Sequence, residues 1–192
     1  HKTTRGLNAR SVAVEDVYAN YPGRDNPERI RNFIRDAYLN WGTDYVLLGG
    51  DTEVIPVRLA YGRVEDPVEG IIEDSIPCDL YYSCLDGDWD ADGDGVFGEP
   101  SENPDLVADV YIGRAPVEPD DFEQEVPWHQ AANFINKVKT YENGFDAPYH
   151  NRVMLVGEKL WDDPLTWGGD YKDAVAAMIP PAYEVTKYYD RD

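Results

Sequence analysis

A chain of 192 residues is long enough for one large domain or two small ones, and 42% apolar with 12% aromatic residues excludes wholesale disorder. Its 17 Lys and Arg against 38 Asp and Glu leave a net charge of −21. That charge argues against a nucleic-acid backbone or an anionic membrane surface as the main partner, and it favours solubility and divalent cations. No apolar run approaches the roughly 18 residues of a membrane span. The chain opens His1-Lys2-Thr3-Thr4, without the charged start and apolar stretch of a signal peptide, as a mature or excised piece is expected to.

In chain order, Ser11 to Val14 reads as a short β-prone run. Asn26-Pro27-Glu28 is a helix start, a capping residue with Pro at the first helical position. Ile30, Phe33, Ile34, Ala37, Tyr38 and Trp41 follow at helical spacing, and Gly42 stops the helix. Tyr45 to Leu48, followed by Gly49-Gly50-Asp51, reads as a buried parallel strand with a functional carboxyl end. Residues 52–75 carry turn and acidic residues around one short apolar patch, Val57 to Tyr61. Leu80 to Tyr82 is a strand candidate, Asp86 to Glu99 an acidic glycine-rich loop, and Val110 to Arg114 a further strand. A helical pattern runs from Trp128 to Tyr141 and Asn143-Gly144 ends it, with Asp146-Ala147-Pro148 as linker. Arg152 to Val156 then repeats the earlier logic, an apolar strand closed by Gly157-Glu158. Tyr171 to Ile179 reads as helix, Pro180-Pro181 breaks it, and Tyr183 to Tyr189 is β-prone. This alternation predicts an α/β fold with a mostly parallel sheet.

The acidic loop carries the sharpest motif. Asp88, Asp90, Asp92, Gly93, Asp94 and Glu99 fit the twelve-residue calcium loop, in which alternating carboxylates converge on a hard cation and a glycine makes the turn. A second register fits as well: Asp90, Asp92 and Asp94 with Gly95 at the turn. The spacing does not choose between them. Cys78 and Cys84 are too few for a disulfide scaffold, and a short bridge or two free thiols both remain open. Nothing in the sequence positions either Cys against His129 or His150, and no phosphate-binding glycine loop or serine nucleophile elbow is present. Asp51 and Glu158 each close an apolar strand; each is a turn or cap residue, or a ligand position of an α/β fold.

Tyr45 to Asp51 followed by Ile55-Pro56, then Val110 to Arg114, then a helix ending in Tyr141-Glu142, resembles the gingipain-like cysteine peptidases of family C25. The resemblance implies a caspase-like, Rossmann-like three-layer α/β fold, here incomplete at both ends. It divides the chain into a first subdomain, residues 1–145, and the start of a second, catalytic one, residues 146–192. The family's catalytic His and Cys motifs are expected after Asp192. Glu158 matches the family carboxylate that orients the catalytic His, and Asp170 the acid lining the pocket for a basic side chain. Asp170 also precedes the expected helix and could cap it. Asp51, Asp105 and Asp109 match a family calcium site, with the carbonyls of Glu102 and Val107 as helpers.

The expected function is therefore a piece of a secreted or cell-surface endopeptidase, stabilised by Ca²⁺ and inactive alone. Its partners are a protein or peptide substrate and the remainder of the catalytic domain, with no nucleic acid and no membrane span. The competing readings are a non-enzymatic calcium-binding extracellular module and, more weakly, a nucleotide-binding domain.

Overall fold

Apolar side chains three and four apart give helix α2, Asn26–Trp41, a continuous buried stripe of Ile30, Ile34 and Ala37. Asp25 is its N-cap, accepting a hydrogen bond from the Glu28 N–H at 2.9 Å, so Asn26 and Pro27 lie in the first turn. Gly42 ends it in the left-handed conformation, φ +66°. The computed structural model describes residues 2–66, 68–118, 129–144 and 148–191. The chain divides into two units, His1–Asn136 and Lys137–Asp192.

In the first unit, helix α1 spans Val14–Asn20 and packs against α2. The β-prone reading of Ser11 to Val14 does not hold: Val14 opens this helix, whose first turn carries Glu15 and Asp16 and whose Val17 enters the core. Strand β1, Tyr45–Gly49, pairs in parallel with β4, Tyr111–Ala115, with Tyr45 opposite Tyr111 and Gly49 opposite Ala115. Leu48 is buried, but the expected two-sided burial of β1 is wrong. Tyr45 and Leu47 face outward, 68% and 61% exposed, and Tyr45 stacks on Tyr111.

Between them lies a long antiparallel hairpin, β2 (Arg58–Asp66) and β3 (Gly70–Cys78), where only turns and a short apolar patch were expected. Leu80–Ser83 forms the short helix α3 and not a strand. Tyr81, Tyr82 and Ser83 are all buried in succession, which an alternating strand cannot do. The Tyr82 hydroxyl donates to the Pro56 carbonyl. Cys78 and Cys84 are both free. Helix α4 spans His129–Asn143, agreeing with the helical pattern; Trp128 and Asp146-Ala147 lie outside the described residues.

In the second unit, β5 (Arg152–Gly157) pairs in parallel with β8 (Glu184–Tyr189), and α5 (Gly168–Ala176) packs on β5. A small antiparallel hairpin, β6 (Lys159–Asp162) with β7 (Leu165–Trp167), fills a stretch the sequence left without an element. The α/β class holds, as helices with small parallel sheets. No described helix is long and apolar enough to cross a membrane.

Candidate functional site

The acidic loop folds because two aromatics pin it. Trp89 and Phe97 are buried in the core of the first unit and meet the Tyr81 ring edge-on, with centroids 5.6 and 6.0 Å away. The Gly98 N–H donates to the Trp89 carbonyl at 2.7 Å, closing the loop. Arg58 lies 3.6 Å over the Phe97 ring and forms a two-point ion pair with Asp25, at 2.8 and 2.7 Å. Burial works against ionisation of Asp25, but hydrogen bonds from Arg58 and from the Glu28 N–H outweigh it and hold the carboxyl below its ordinary value.

Between the aromatic pins the carboxylates gather in two groups that share Asp92. Asp90, Asp92 and Glu102 offer oxygens within 4.8 Å of one another, and so do Asp92, Asp94 and Glu99. The Gly95 N–H donates to Asp90 Oδ1 at 3.1 Å, with Gly95 at φ +89°, an arrangement that belongs to the register with Gly95 at the turn. The Asp92 N–H donates to Glu102 Oε1 at 3.0 Å, while Glu102 Oε2 is buried with no hydrogen-bond partner. Asp88 stands outside both groups, accepting from the Asp90 N–H and lying 3.9 Å from Arg24. Asp90 is buried, and its Oδ2 accepts from Arg24 Nη1 at 2.6 Å. Glu99 is pushed up by partial desolvation and then by Asp94, Asp92 and Glu102.

Asp105 and Asp109 do converge, but their third member is Asp86 and not Asp51. The Ser83 carbonyl accepts from the Asp109 N–H at 2.8 Å, and Asp109 Oδ2 accepts from the Leu85 N–H at 2.7 Å. This pairing brings Asp86 beside Asp105. Hydrogen bonding to Asp105 raises the Asp86 carboxyl, with the charges of Asp105 and Asp109 adding to the rise. The Val107 N–H, and then Asp86, lower that of Asp105. Three carboxylates gathered this closely repel one another, and a bound cation would relieve that repulsion. Asp51 instead closes its own turn. Its Oδ1 accepts from the Thr52 N–H at 2.7 Å, and its carbonyl accepts from Val54 and Ile55 at 2.9 and 2.8 Å. Arg114 braces the same turn, donating to the carbonyls of Gly50 and Ile55 while forking onto both oxygens of Asp79. The hydrogen bond to Asp79 holds the guanidinium above its ordinary value against the opposing effect of burial.

In the second unit, Glu158 follows β5 directly and is exposed. Among the described residues its carboxylate has no hydrogen-bond partner, while its carbonyl accepts from the Gly168 N–H at 2.8 Å. Gly157 has no room for a side chain, since a Cβ would stand 2.6 Å from the Gly169 nitrogen. Asp170 is the third residue of α5, inside the first turn and not at its cap, and Arg191 pairs with it. The model of peptidase family C25 matches residues 1–192, the whole chain.

The chain belongs to peptidase family C25. No curated protein and no solved structure matches it.

A C25 peptidase is a cysteine peptidase, and a cysteine nucleophile works as its thiolate. Burial pushes the Cys84 thiol up; the hydrogen bond with Ser83 acts the other way, and Asp105 and Asp109 add to the rise. Cys78 sits half-buried opposite Arg58 at the root of the β2–β3 hairpin. His150 is packed edge-on against the rings of Tyr141 and Tyr149, with centroids 4.8 and 4.6 Å away. The Asp86 contribution had no signal in the sequence, because it depends on the long-range pairing of residues 83–85 with 109.

Proposed function

We propose that this C25 chain forms part of a secreted cysteine endopeptidase with a caspase-like layered fold, in which Glu158 orients the catalytic histidine. The observation that carries this reading, beside the family match over residues 1–192, is the carboxylate of Glu158. It stands at the end of a parallel strand, exposed, and no described residue occupies it. Such an acceptor fixes the imidazole tautomer and stabilises the imidazolium that forms when the thiol gives up its proton. Asp170 would meet a basic side chain of the substrate. The residues 1–192 alone are expected to cleave nothing, because Cys84 is buried and nothing in the sequence positions either Cys78 or Cys84 against a histidine base.

Calcium is the second element of the proposal. The buried, unpartnered Glu102 Oε2 and the two groups around Asp92 fit a hard cation that takes oxygen ligands, and Asp86, Asp105 and Asp109 fit a second. Bound there, calcium would neutralise carboxylates that otherwise repel one another.

Two experiments test the reading. In the full-length protein, Glu158→Gln is expected to lower kcat on the order of 100- to 10,000-fold with the melting temperature unchanged. Unaltered rates end the orienting role. Melting with calcium and with chelator is expected to differ, by about 2.7 kcal/mol at a hundred times Kd. Identical melting in both ends the calcium proposal.

A further inference from the structure

Asp170 and Asp173 lie one turn apart on α5 and face the end of β8. Arg191 reaches both carboxylates. Its Nη1 is 2.5 Å from Asp170 Oδ1, and its Nη2 is 3.6 Å from Asp173 Oδ2. Its guanidinium carbon lies 5.6 Å from the centre of the Tyr189 ring. The ring is held in turn, as the Tyr189 hydroxyl donates to Asp173 Oδ1 at 2.9 Å. Lys187 Nζ pairs with the same oxygen at 2.7 Å. Gly169 makes the space, since a Cβ there would stand 2.9 Å from Tyr189 Cδ2. Two carboxylates beside an aromatic ring are the chemistry that receives a guanidinium, and this notch already holds one from its own chain.

We propose that Arg191 is a specificity-determining residue, a stand-in that fills the Asp170–Asp173 notch and must be displaced before the arginine side chain of a substrate can enter. The inference rests on the reading of Asp170 as the acid that meets that side chain. The pair is open to water, with side-chain exposures of 29% for Arg191 and 63% for Asp170. An ion pair so exposed is worth at most roughly fivefold in an equilibrium constant. It is weak enough for a substrate to displace and strong enough to register in KM. A substrate arginine matches the vacated geometry, whereas lysine offers a point charge without the planar fork.

The test uses the full-length protein with peptide reporters carrying Arg, Lys or a neutral residue before the scissile bond. Arg191→Gln is expected to raise the Arg-over-neutral ratio of kcat/KM by roughly two- to fivefold, through KM and not kcat. Arg191→Lys, which restores a cation, is expected to return the ratio toward the wild-type value. In an Asp170→Asn background the effect of Arg191→Gln is expected to vanish. If Asp170→Asn leaves the wild-type ratio untouched, the pocket reading fails and the inference with it. If Asp170→Asn collapses the ratio but Arg191→Gln does not move it, or lowers every substrate equally, only the stand-in role fails. Binding of Nα-acetyl-arginine amide gives a readout independent of cleavage. Arg191→Gln should bind it two- to fivefold more tightly than the wild type, and equal affinities overturn the inference.

Discussion

The ends of β1 and β5 look alike in sequence and differ in what their acids do. Both are short parallel strands that run into glycine and then a carboxylate. After β1 the chain spends Asp51 on its own turn and braces that turn with Arg114. After β5 it leaves the Glu158 side chain in water and ties down only the backbone. The glycines differ in the same way. Gly49 has open space around its missing side chain, and the crowded position is Gly50, at φ +155° against Val54. In the second unit Gly157 itself is pressed on the backbone of α5. A strand–glycine–acid motif therefore marks a tight exit from a sheet. Whether its carboxylate remains available depends on what the next turn demands.

The comparison can be broken most forcefully at the glycines. Gly157→Ala is expected to destabilise by about 3 kcal/mol, because rigid backbone and not a flexible side chain meets the added methyl. Gly49→Ala is expected to stay within about 0.5 kcal/mol. Equal effects in chemical denaturation would show that the two exits are built alike. Arg114→Gln comes next, at about 2 kcal/mol, since it leaves Asp79 and two carbonyls without their partly buried donor. Asp51→Ala should cost about 1 kcal/mol by freeing its turn. Glu158→Ala should leave the melting temperature within error.

The smallest effect is a difference in titration. Lys187, and then the Tyr189 hydroxyl, hold Asp173 below its ordinary value of 3.8, while Asp105 holds Asp86 above it. The two therefore act on stability with opposite sign. The contribution of Asp173 is complete above pH 3.8 and is lost as pH falls through its folded value. That of Asp86 is complete below pH 3.8 and is lost as pH rises through its folded value. Carboxyl NMR titration should find midpoints on either side of 3.8, and added calcium should pull Asp86 down.

Where local signals agree, the sequence is readable. α2 is legible from its period, its Pro27 and its Gly42, and the parallel strands from their apolar runs. The β2–β3 hairpin is not, because Gly62, Glu65, Glu73 and Asp74 interrupt any clean alternation and most of β3 is exposed on both faces. Leu80 to Tyr82 carries β propensity, but the consecutive burial of Tyr81, Tyr82 and Ser83 overrides it. At the candidate site, the strand-end acids and the loop carboxylates are visible in the spacing. Asp86 joins its group only through pairing across more than twenty residues, and Arg24 and Arg191 reach their acids from distant elements, so none of the three leaves a local trace.

Trp89 has one further use. It is buried within the acidic loop, while Trp41 and Trp161 are exposed to solvent and Trp167 is half-buried. The loop thus carries its own optical gauge. Red-edge excitation and quenching by iodide should separate this indole from the exposed ones, and its emission should shift when a cation draws the carboxylates together. Loop occupancy could then be followed in real time, in the unmodified protein, without a dye or a tag.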